Sequence, residues 1–206
     1  MNAQQTNETN PENAASGTYY QFLEISVREL LIEKGVLSED DIRIAVEEMD
    51  SRGPERGAQV VARAWVDPQF KQSLLQDAPS AVKTLGLDIG PLQLLVVENT
   101  PDVHNLIVCT LCSCYPRTLL GLPPDWYKSR EYRSRAVREP RAVLREFGTD
   151  IPDEVEVRVH DSTADLRYLV LPQRPTGTGH LTEDELSALV ERDSMIGVTV
   201  VLETGF

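Results

Sequence analysis

The chain keeps all of its cysteines in one stretch, Cys109-Thr110-Leu111-Cys112-Ser113-Cys114. The rest of the 206 residues contain none. A disulfide framework uses an even number of cysteines that join distant segments, so this pattern does not predict one. Thiolates are soft metal ligands, and three of them at this spacing can reach a common point. The stretch therefore predicts a metal site.

The remaining ligands of such a site are left open by the sequence. A structural zinc module completes its tetrahedron with a second pair of cysteines or histidines, and no such pair occurs here. The three histidines, His104, His160 and His180, stand alone. A further protein ligand would be one of them, a carboxylate, or the backbone of the stretch itself. From spacing alone, a zinc-binding module without chemistry is favoured.

The overall composition limits the partners and the compartment. The formal charge is −13, from 33 acidic and 20 basic residues, which argues against nucleic acid or an anionic membrane as a partner. The sequence shows neither a membrane-spanning apolar run nor a signal peptide at its start. Clustered free cysteines favour a reducing compartment, so we expect a cytoplasmic protein.

The first part of the chain is predicted to be helical after a polar leader. Residues 1–17 lack periodicity and predict a disordered leader. Residues 18–87 predict a helical N-terminal arm, because apolar residues recur at helical spacing between capping residues and glycines. Its helices are expected at 19–34, from Ser38 onward, at 54–65, and from Pro68 to a stop at Gly86.

The pattern changes near residue 88, where β-branched runs begin. Strands are expected at 92–98, 105–108, 154–160, 166–171 and 196–202. Helices are expected at 126–138, from Pro140 to Gly148, and at 182–192, where Thr182 to Glu185 forms a capping box. We therefore predict an α+β fold, with a mixed α/β metal-binding catalytic domain over residues 88–206.

The cysteine stretch and its surroundings resemble the nitrile hydratase α-subunit family. The local match is Val108-Cys109-Thr110-Leu111-Cys112-Ser113-Cys114-Tyr115-Pro116. Thr110 and Tyr115 are similar to the cobalt-type variant, whereas the iron type has Ser and Thr at these places. Further matching segments lie at 60–68, 121–128, 137–141, 166–175 and 192–198, so the resemblance covers roughly residues 18 to 200.

The resemblance implies a metal centre of a particular kind. In the family, a low-spin trivalent cobalt or iron is held by three cysteine sulfurs and two backbone amide nitrogens, and the cobalt-type match favours non-corrin cobalt(III) over iron here. The ligands correspond to Cys109, Cys112 and Cys114 and to the amides of Ser113 and Cys114. The family also oxidises Cys112 to a sulfinate and Cys114 to a sulfenate. The implied reaction is the hydration of a nitrile to an amide, with the Cys114 sulfenate oxygen acting as nucleophile or base.

The resemblance also implies a partner and a supporting arginine. A β-subunit, possibly split into two chains, supplies arginines to the oxidised sulfurs in the family, so we expect a hetero-oligomer that is inactive without it. Arg167 is a candidate catalytic residue that bonds near the site. The basic segment 128–138 is either a solvated face or part of a subunit interface.

One position favours a second reaction. Arg117 stands where many nitrile hydratases have an aromatic residue, and this resembles the γ-subunit of thiocyanate hydrolase. That relative uses the same cobalt loop to convert thiocyanate to carbonyl sulfide and ammonia. We keep thiocyanate hydrolysis as the alternative function. Since Arg117 lies beyond Pro116, we expect it to face a subunit interface or solvent rather than the metal site.

Overall fold

The computed structural model describes the backbone of residues 11–202 and the side chains of residues 18–202. Residues 1–10 of the expected leader lie outside this range. The chain divides into two compact units, Met1–Met49 and Asp50–Phe206. The division of the chain at residues 17 and 87 stays a prediction. No helix among residues 11–202 combines the length and the apolar character that a membrane crossing requires.

The described part of the first unit contains two helices. Helix α1 (Pro11–Glu33) begins before the expected start at residue 19, and α2 (Glu39–Asp50) follows a turn at Gly35. Ser38 and Asp41 bond reciprocally at the start of α2, because each side chain bonds the backbone amide of the other. Acidic residues then occupy the first turn of α2, where they complement the helix dipole.

The second unit begins with three helices that cover the strands. These are α3 (Glu55–Val66), α4 (Pro68–Gln76) and α5 (Ala78–Thr84). Asp67 and Asp77 separate them, since each carboxylate accepts backbone amides of the helix that follows it. Helix α3 turns one side into the core, where Val60 and Val61 are fully buried.

Within residues 11–202, four strands form two separate parallel pairs. They are β1 (Gln93–Glu98), β2 (Val103–Val108), β3 (Glu156–Asp161) and β4 (Leu166–Leu171), with β1 paired to β4 and β2 to β3. Parallel pairs need long crossovers, and the segment between β2 and β3 carries α6 (Arg117–Leu120), α7 (Asp125–Lys128), α8 (Arg130–Arg138) and α9 (Pro140–Glu146). The predicted α+β class is confirmed.

The register of β2 and β3 positions the cysteine stretch. Val108, the last residue of β2, pairs with Asp161, the last residue of β3. The pairing continues one step further, because the Ser162 amide donates to the Val108 carbonyl at 2.7 Å. The cysteine stretch therefore leaves the sheet directly at Cys109, beside Asp161.

The C-terminal part differs from the prediction. A 3-10 turn (Thr178–His180) precedes α10 (Glu183–Leu189) and α11 (Arg192–Ile196). The strand expected at 196–202 is wrong: Gly197 ends α11 in the left-handed region, with a φ of 90°. The amides of Val198 and Thr199 then bond back to the Asp193 carbonyl instead of joining a strand.

The helix expected at 126–138 is also wrong in one respect, because it is two helices. Ser129 has an extended backbone, with a ψ of 143°, and separates α7 from α8. Its side chain accepts the Tyr132 amide and so caps α8. This break lets Tyr127 and Tyr132 both enter the core.

A buried polar network joins the strands to the end of α11. The His104 Nε2–H donates to the Gly197 carbonyl at 2.7 Å, and burial lowers the pKa of His104. Asn99 and Asn105 are bonded to each other, and the Asn105 side-chain oxygen accepts His160 Nε2–H at 2.8 Å. These hydrogen bonds satisfy the buried polar side chains, because a buried polar group without a partner would destabilise the fold.

Gly197 offers a sharp test of this packing. A methyl group at Gly197 would overlap the Asn105 backbone oxygen and also needs the unfavourable positive φ. Gly197→Ala should lower the free energy of unfolding by about 3–5 kcal/mol. Gly177→Ala is the matched control: Gly177 has a φ of 77° and open space around it, so about 1–2 kcal/mol is expected. Urea unfolding measures both, and equal losses would contradict the assigned clash.

Candidate metal centre

Three cysteine sulfurs converge at the end of β2. The Sγ atoms of Cys109, Cys112 and Cys114 all lie within 4.8 Å of one another. Cys112 Sγ is 3.4 Å from Cys109 Sγ and 3.0 Å from Cys114 Sγ, and all three thiols are free. Cys109 and Cys114 are buried, whereas Cys112 is exposed. This cluster could hold one metal ion.

The backbone of the loop supports the same convergence. The Cys112 amide donates to Cys109 Sγ at 3.3 Å, which closes a tight turn around the first sulfur. Ser113 lies between the two later cysteines and lines the same cavity as they do. Among the described residues, no histidine, aspartate or glutamate side chain belongs to the cluster, so its side-chain donor atoms are all sulfur. Such a donor set favours a thiophilic metal.

Asp161 holds the first turn of the loop to the sheet. Its carboxylate accepts the Thr110 amide at 2.9 Å and the Thr110 hydroxyl at 2.5 Å. Because Asp161 faces Val108 in the β2–β3 register, the strand pairing places this acceptor at the base of the loop.

Two buried tyrosines hold the loop from the other side. Tyr127 Oη donates to the Cys114 carbonyl at 2.9 Å, and Tyr132 Oη donates to the Ile107 carbonyl at 2.6 Å. Both rings lie in a cluster of edge-on aromatic contacts with Trp126. Burial raises the pKa of both tyrosines well above the ordinary range, so both hydroxyls stay protonated as donors.

The two later thiols have opposite acid–base tendencies in the metal-free chain. Hydrogen bonds from Cys114 and Cys109 lower the pKa of Cys112 to about 7. Burial, together with the hydrogen bond to Cys112, raises the pKa of Cys114 to about 12. The positive charge of Arg167 acts in the opposite direction on Cys114. Since metals bind thiolates, binding here includes loss of the Cys114 proton.

A cavity of about 310 Å³ opens beside the sulfurs. Its lining includes Cys112, Ser113, Cys114, Arg117 and Arg167. Arg167 is half-buried on β4, and its guanidinium donates to the backbone carbonyls of Thr163 and Ala164. The described lining contains two arginines and no carboxylate, so the cavity is electropositive next to the cysteines.

The expectation that Arg117 faces a subunit interface or solvent stays a prediction. Its side chain is exposed, yet Arg117 lines the cavity together with Cys112. The chain does not continue outward after Pro116, because the Arg117 amide donates to the Tyr115 carbonyl and α6 begins at once. This turn keeps Arg117 beside the loop.

Some buried polar groups around the loop lack a hydrogen-bond partner. Among the described residues, three buried polar atoms lack a hydrogen-bond partner: Tyr115 Oη, Ser162 Oγ and Arg167 Nε. All three belong to residues next to the loop or its cavity. The histidines take no part, since His104 and His160 belong to the core network and His180 bonds the Gly177 carbonyl.

The sequence predicted the cysteine cluster, which the structure shows, and proposed Ser113 and Arg167 as further site residues, but it did not indicate the residues that hold the loop. Asp161 could have been found, because the carboxyl ends of parallel strands meet at one edge and 154–160 was expected as a strand. Tyr127 and Tyr132 carry no such signal. Their roles depend on the break at Ser129, which sets the direction of both side chains.

Fold and site together define a class of protein: α+β subunits with a three-thiol metal centre at the end of a parallel strand. The sequence matches the family described as nitrile hydratase, alpha chain, over residues 18–199. The chain belongs to this family.

Individual relatives agree with this assignment. The low-molecular weight cobalt-containing nitrile hydratase subunit alpha of Rhodococcus rhodochrous is 55% identical over 179 residues, covering 83% of this chain and 84% of the relative. The thiocyanate hydrolase subunit gamma of Thiobacillus thioparus is 45% identical over 193 residues, covering 88% and 79%. A solved recombinant thiocyanate hydrolase with partially modified cobalt centres superposes with a TM-score of 0.84 at 44% identity, covering 89% and 90%.

The role of Asp161 can be tested on the loop itself. Asp161→Ala removes both acceptors of Thr110, so amide hydrogen exchange of residues 109–114 should accelerate about tenfold, equivalent to about 1.4 kcal/mol of local stability. Asp161→Asn keeps one acceptor and should have a smaller effect. Asp165→Ala, an exposed aspartate on the turn before β4, is the control. Unchanged exchange in Asp161→Ala would refute this role.

Proposed function

We propose that this chain is the metal-bearing α-subunit of a cobalt-type nitrile hydratase, which adds water to R–C≡N to give R–C(O)NH₂. One observation carries the proposal: the three sulfurs lie within 4.8 Å of one another, and Cys112 and Cys114 line an open cavity. A structural zinc site is closed by four protein ligands. Here the described cluster offers three thiols and faces a space that a small substrate can enter.

Cobalt(III) would be held by Cys109, Cys112 and Cys114 through sulfur and by the Ser113 and Cys114 amide nitrogens. Thiolates and deprotonated amides are strong donors that suit a trivalent ion better than zinc. When bound, cobalt(III) supplies a Lewis acid that polarises the nitrile. The proposed set needs no ligand beyond the loop, consistent with the separate bonding of all three histidines.

The chain's own residues would provide the proton chemistry. We propose Cys112 as a sulfinate and Cys114 as a sulfenate, the second and first steps of thiol oxidation, with the oxygen atoms and oxidising equivalents supplied by an external oxidant such as dioxygen. The Cys114 sulfenate oxygen would act as nucleophile toward the nitrile carbon or as the base that takes a proton from water. Arg167 borders the same cavity, and its positive charge favours anionic forms at Cys114.

The active form that we propose is an assembly with a β-subunit, possibly split into two chains. The exposed edge of the cavity beside Cys112 supports this, because a partner surface there would complete the pocket and exclude water. We also propose a cytoplasmic location, where three clustered thiols are kept from pairing as disulfides before metal loading.

Thiocyanate hydrolysis is the second candidate function. The observation that favours it is the position of Arg117, which lines the cavity with Arg167. Thiocyanate is an anion and benefits from positive charge at the site, whereas a nitrile is neutral and benefits from an apolar wall. The reaction would yield carbonyl sulfide and ammonia at the same cobalt loop.

Removing one sulfur tests the ligand assignment. In the assembled protein, Cys109→Ala, Cys112→Ala and Cys114→Ala should each lose stoichiometric cobalt and nitrile hydration, since the chain has no spare cysteine. Ser113→Ala should keep its cobalt content, because only the backbone of Ser113 is a proposed ligand. Metal analysis and amide formation from a small nitrile are measured together, with the partner-free chain as an inactive control. Full cobalt and turnover in Cys112→Ala would overturn the ligand set.

Exchanging Arg117 separates the two candidate reactions. If a nitrile is the substrate, Arg117→Ala should keep kcat/KM for a small nitrile within about tenfold, or about 1.4 kcal/mol of barrier. If thiocyanate is the substrate, Arg117→Ala should lose more than this and Arg117→Lys should recover part of the loss. The measurement compares amide and carbonyl sulfide formation by the assembled protein. Carbonyl sulfide without amide would replace the first proposal with the second.

A further inference from the structure

We propose that Tyr127 is a positioning residue for the metal centre, which it serves by fixing the backbone of Cys114 through a hydroxyl–carbonyl hydrogen bond. The inference rests on the proposed role of Cys114 as a ligand. Tyr127 lies on α7, thirteen residues beyond Cys114, and Oη donates to the Cys114 carbonyl at 2.9 Å. This bond joins the loop to an element that supplies none of the proposed ligands.

The bond is well protected from water. Tyr127 is fully buried and Cys114 is 8% exposed. Among the described residues, no other group donates a hydrogen bond to the Cys114 carbonyl. If a buried carbonyl loses its single donor, its oxygen has no hydrogen bond to replace those it makes with water in the unfolded chain, and this is unfavourable. The Cys114 peptide is therefore expected to turn away from its present direction if the hydroxyl is removed.

Such a turn would reach the metal centre directly. Cys114 is proposed to bind through both its sulfur and its amide nitrogen, so its backbone and side-chain torsions together set two ligand positions. Its carbonyl forms the peptide bond to Tyr115, and Tyr115 precedes a proline, which limits the conformations of that segment. The hydrogen bond from Tyr127 restrains the Cys114 carbonyl on the side that faces the core.

Tyr132 provides a natural comparison within the same fold. Its hydroxyl is also buried and also donates to a backbone carbonyl near the loop, that of Ile107 at 2.6 Å. Ile107 belongs to β2, however, and that strand is already held to β3 through neighbouring residues, as in the bond from the Ser162 amide to the Val108 carbonyl. Loss of the Tyr132 bond should therefore weaken the fold without moving a ligand. The two tyrosines separate positioning from general stability.

The ring of Tyr127 is held firmly enough to act in this way. It contacts Tyr115 edge-on, with ring centroids 5.2 Å apart, and it lies 5.6 Å from the ring of Tyr132. Trp126 closes the cluster at 5.9 Å. A Tyr127→Phe variant can keep these contacts, so removal of the hydroxyl isolates the hydrogen bond.

The test uses the reduced, metal-free full-length chain and Co²⁺ alone as the probe. Thiolate-to-cobalt absorption in the near ultraviolet reports both affinity and the geometry of the sulfurs. Tyr127→Phe should weaken Co²⁺ binding about tenfold, equivalent to about 1.4 kcal/mol, and change the absorption spectrum. Tyr132→Phe should bind Co²⁺ within about twofold of the wild type with an unchanged spectrum. Both variants should lower the melting temperature.

The outcomes test the positioning role of Tyr127 and the proposed function separately. Equal Co²⁺ affinity and spectra in the two variants would overturn the positioning role, as would a wild-type chain that binds no Co²⁺. The measurement needs no turnover, so an assembled protein without nitrile hydration would contradict the proposed function alone. If Tyr127→Phe does not fold, Tyr127→3-fluorotyrosine keeps the ring and gives a stronger donor. An unchanged spectrum in that variant would also overturn the inference.

Discussion

The structure depends on the parallel pairing of β2 with β3. This ladder ends at Val108 and Asp161, and one further backbone bond from Ser162 closes it. Parallel strands bring their carboxyl ends to a common edge, where side chains from separate segments can meet. The cysteine stretch starts at that edge, and its flanking carbonyls are bonded by α7 and α8. A short loop of soft ligands is thus held by rigid elements on both sides.

The charge beside the cysteine loop is opposite in sign to the net charge of the chain. The chain as a whole is strongly acidic, yet the described lining of the cysteine cavity contains two arginines and no carboxylate. On α8, by contrast, Arg135 is neutralised by Glu131, Glu139 and Glu146, so this part of the basic segment forms a network of exposed ion pairs. Positive charge is therefore left available at the cavity, whereas the charge of Arg135 is compensated.

The sequence allowed the fold class and the three-sulfur cluster to be predicted, because capping residues, β-branched runs and cysteine spacing are local signals. Other features depend on contacts between distant segments. The last expected strand, at 196–202, has the right residue types but pairs with no strand within residues 11–202, and Gly197 turns the chain back to Asp193. Arg117 was expected to face solvent or an interface because it lies beyond Pro116. Its exposed side chain also borders the cysteine cavity, and the bond from its amide to the Tyr115 carbonyl has no signature in composition. Asp161 and Tyr127 act through register and through a helix break, which a single sequence shows only weakly.

The immediate passage from β2 into the loop has a consequence for how such a chain can vary. Side chains alternate along a strand, so one inserted or deleted residue in β3 would turn Asp161 to the opposite face. The same change in β2 would move Cys109 away from its neighbours. Substitutions in these strands can be absorbed by repacking, but changes of length cannot. We therefore expect the chain to accept insertions in its surface turns and to keep a constant count of residues along both strands.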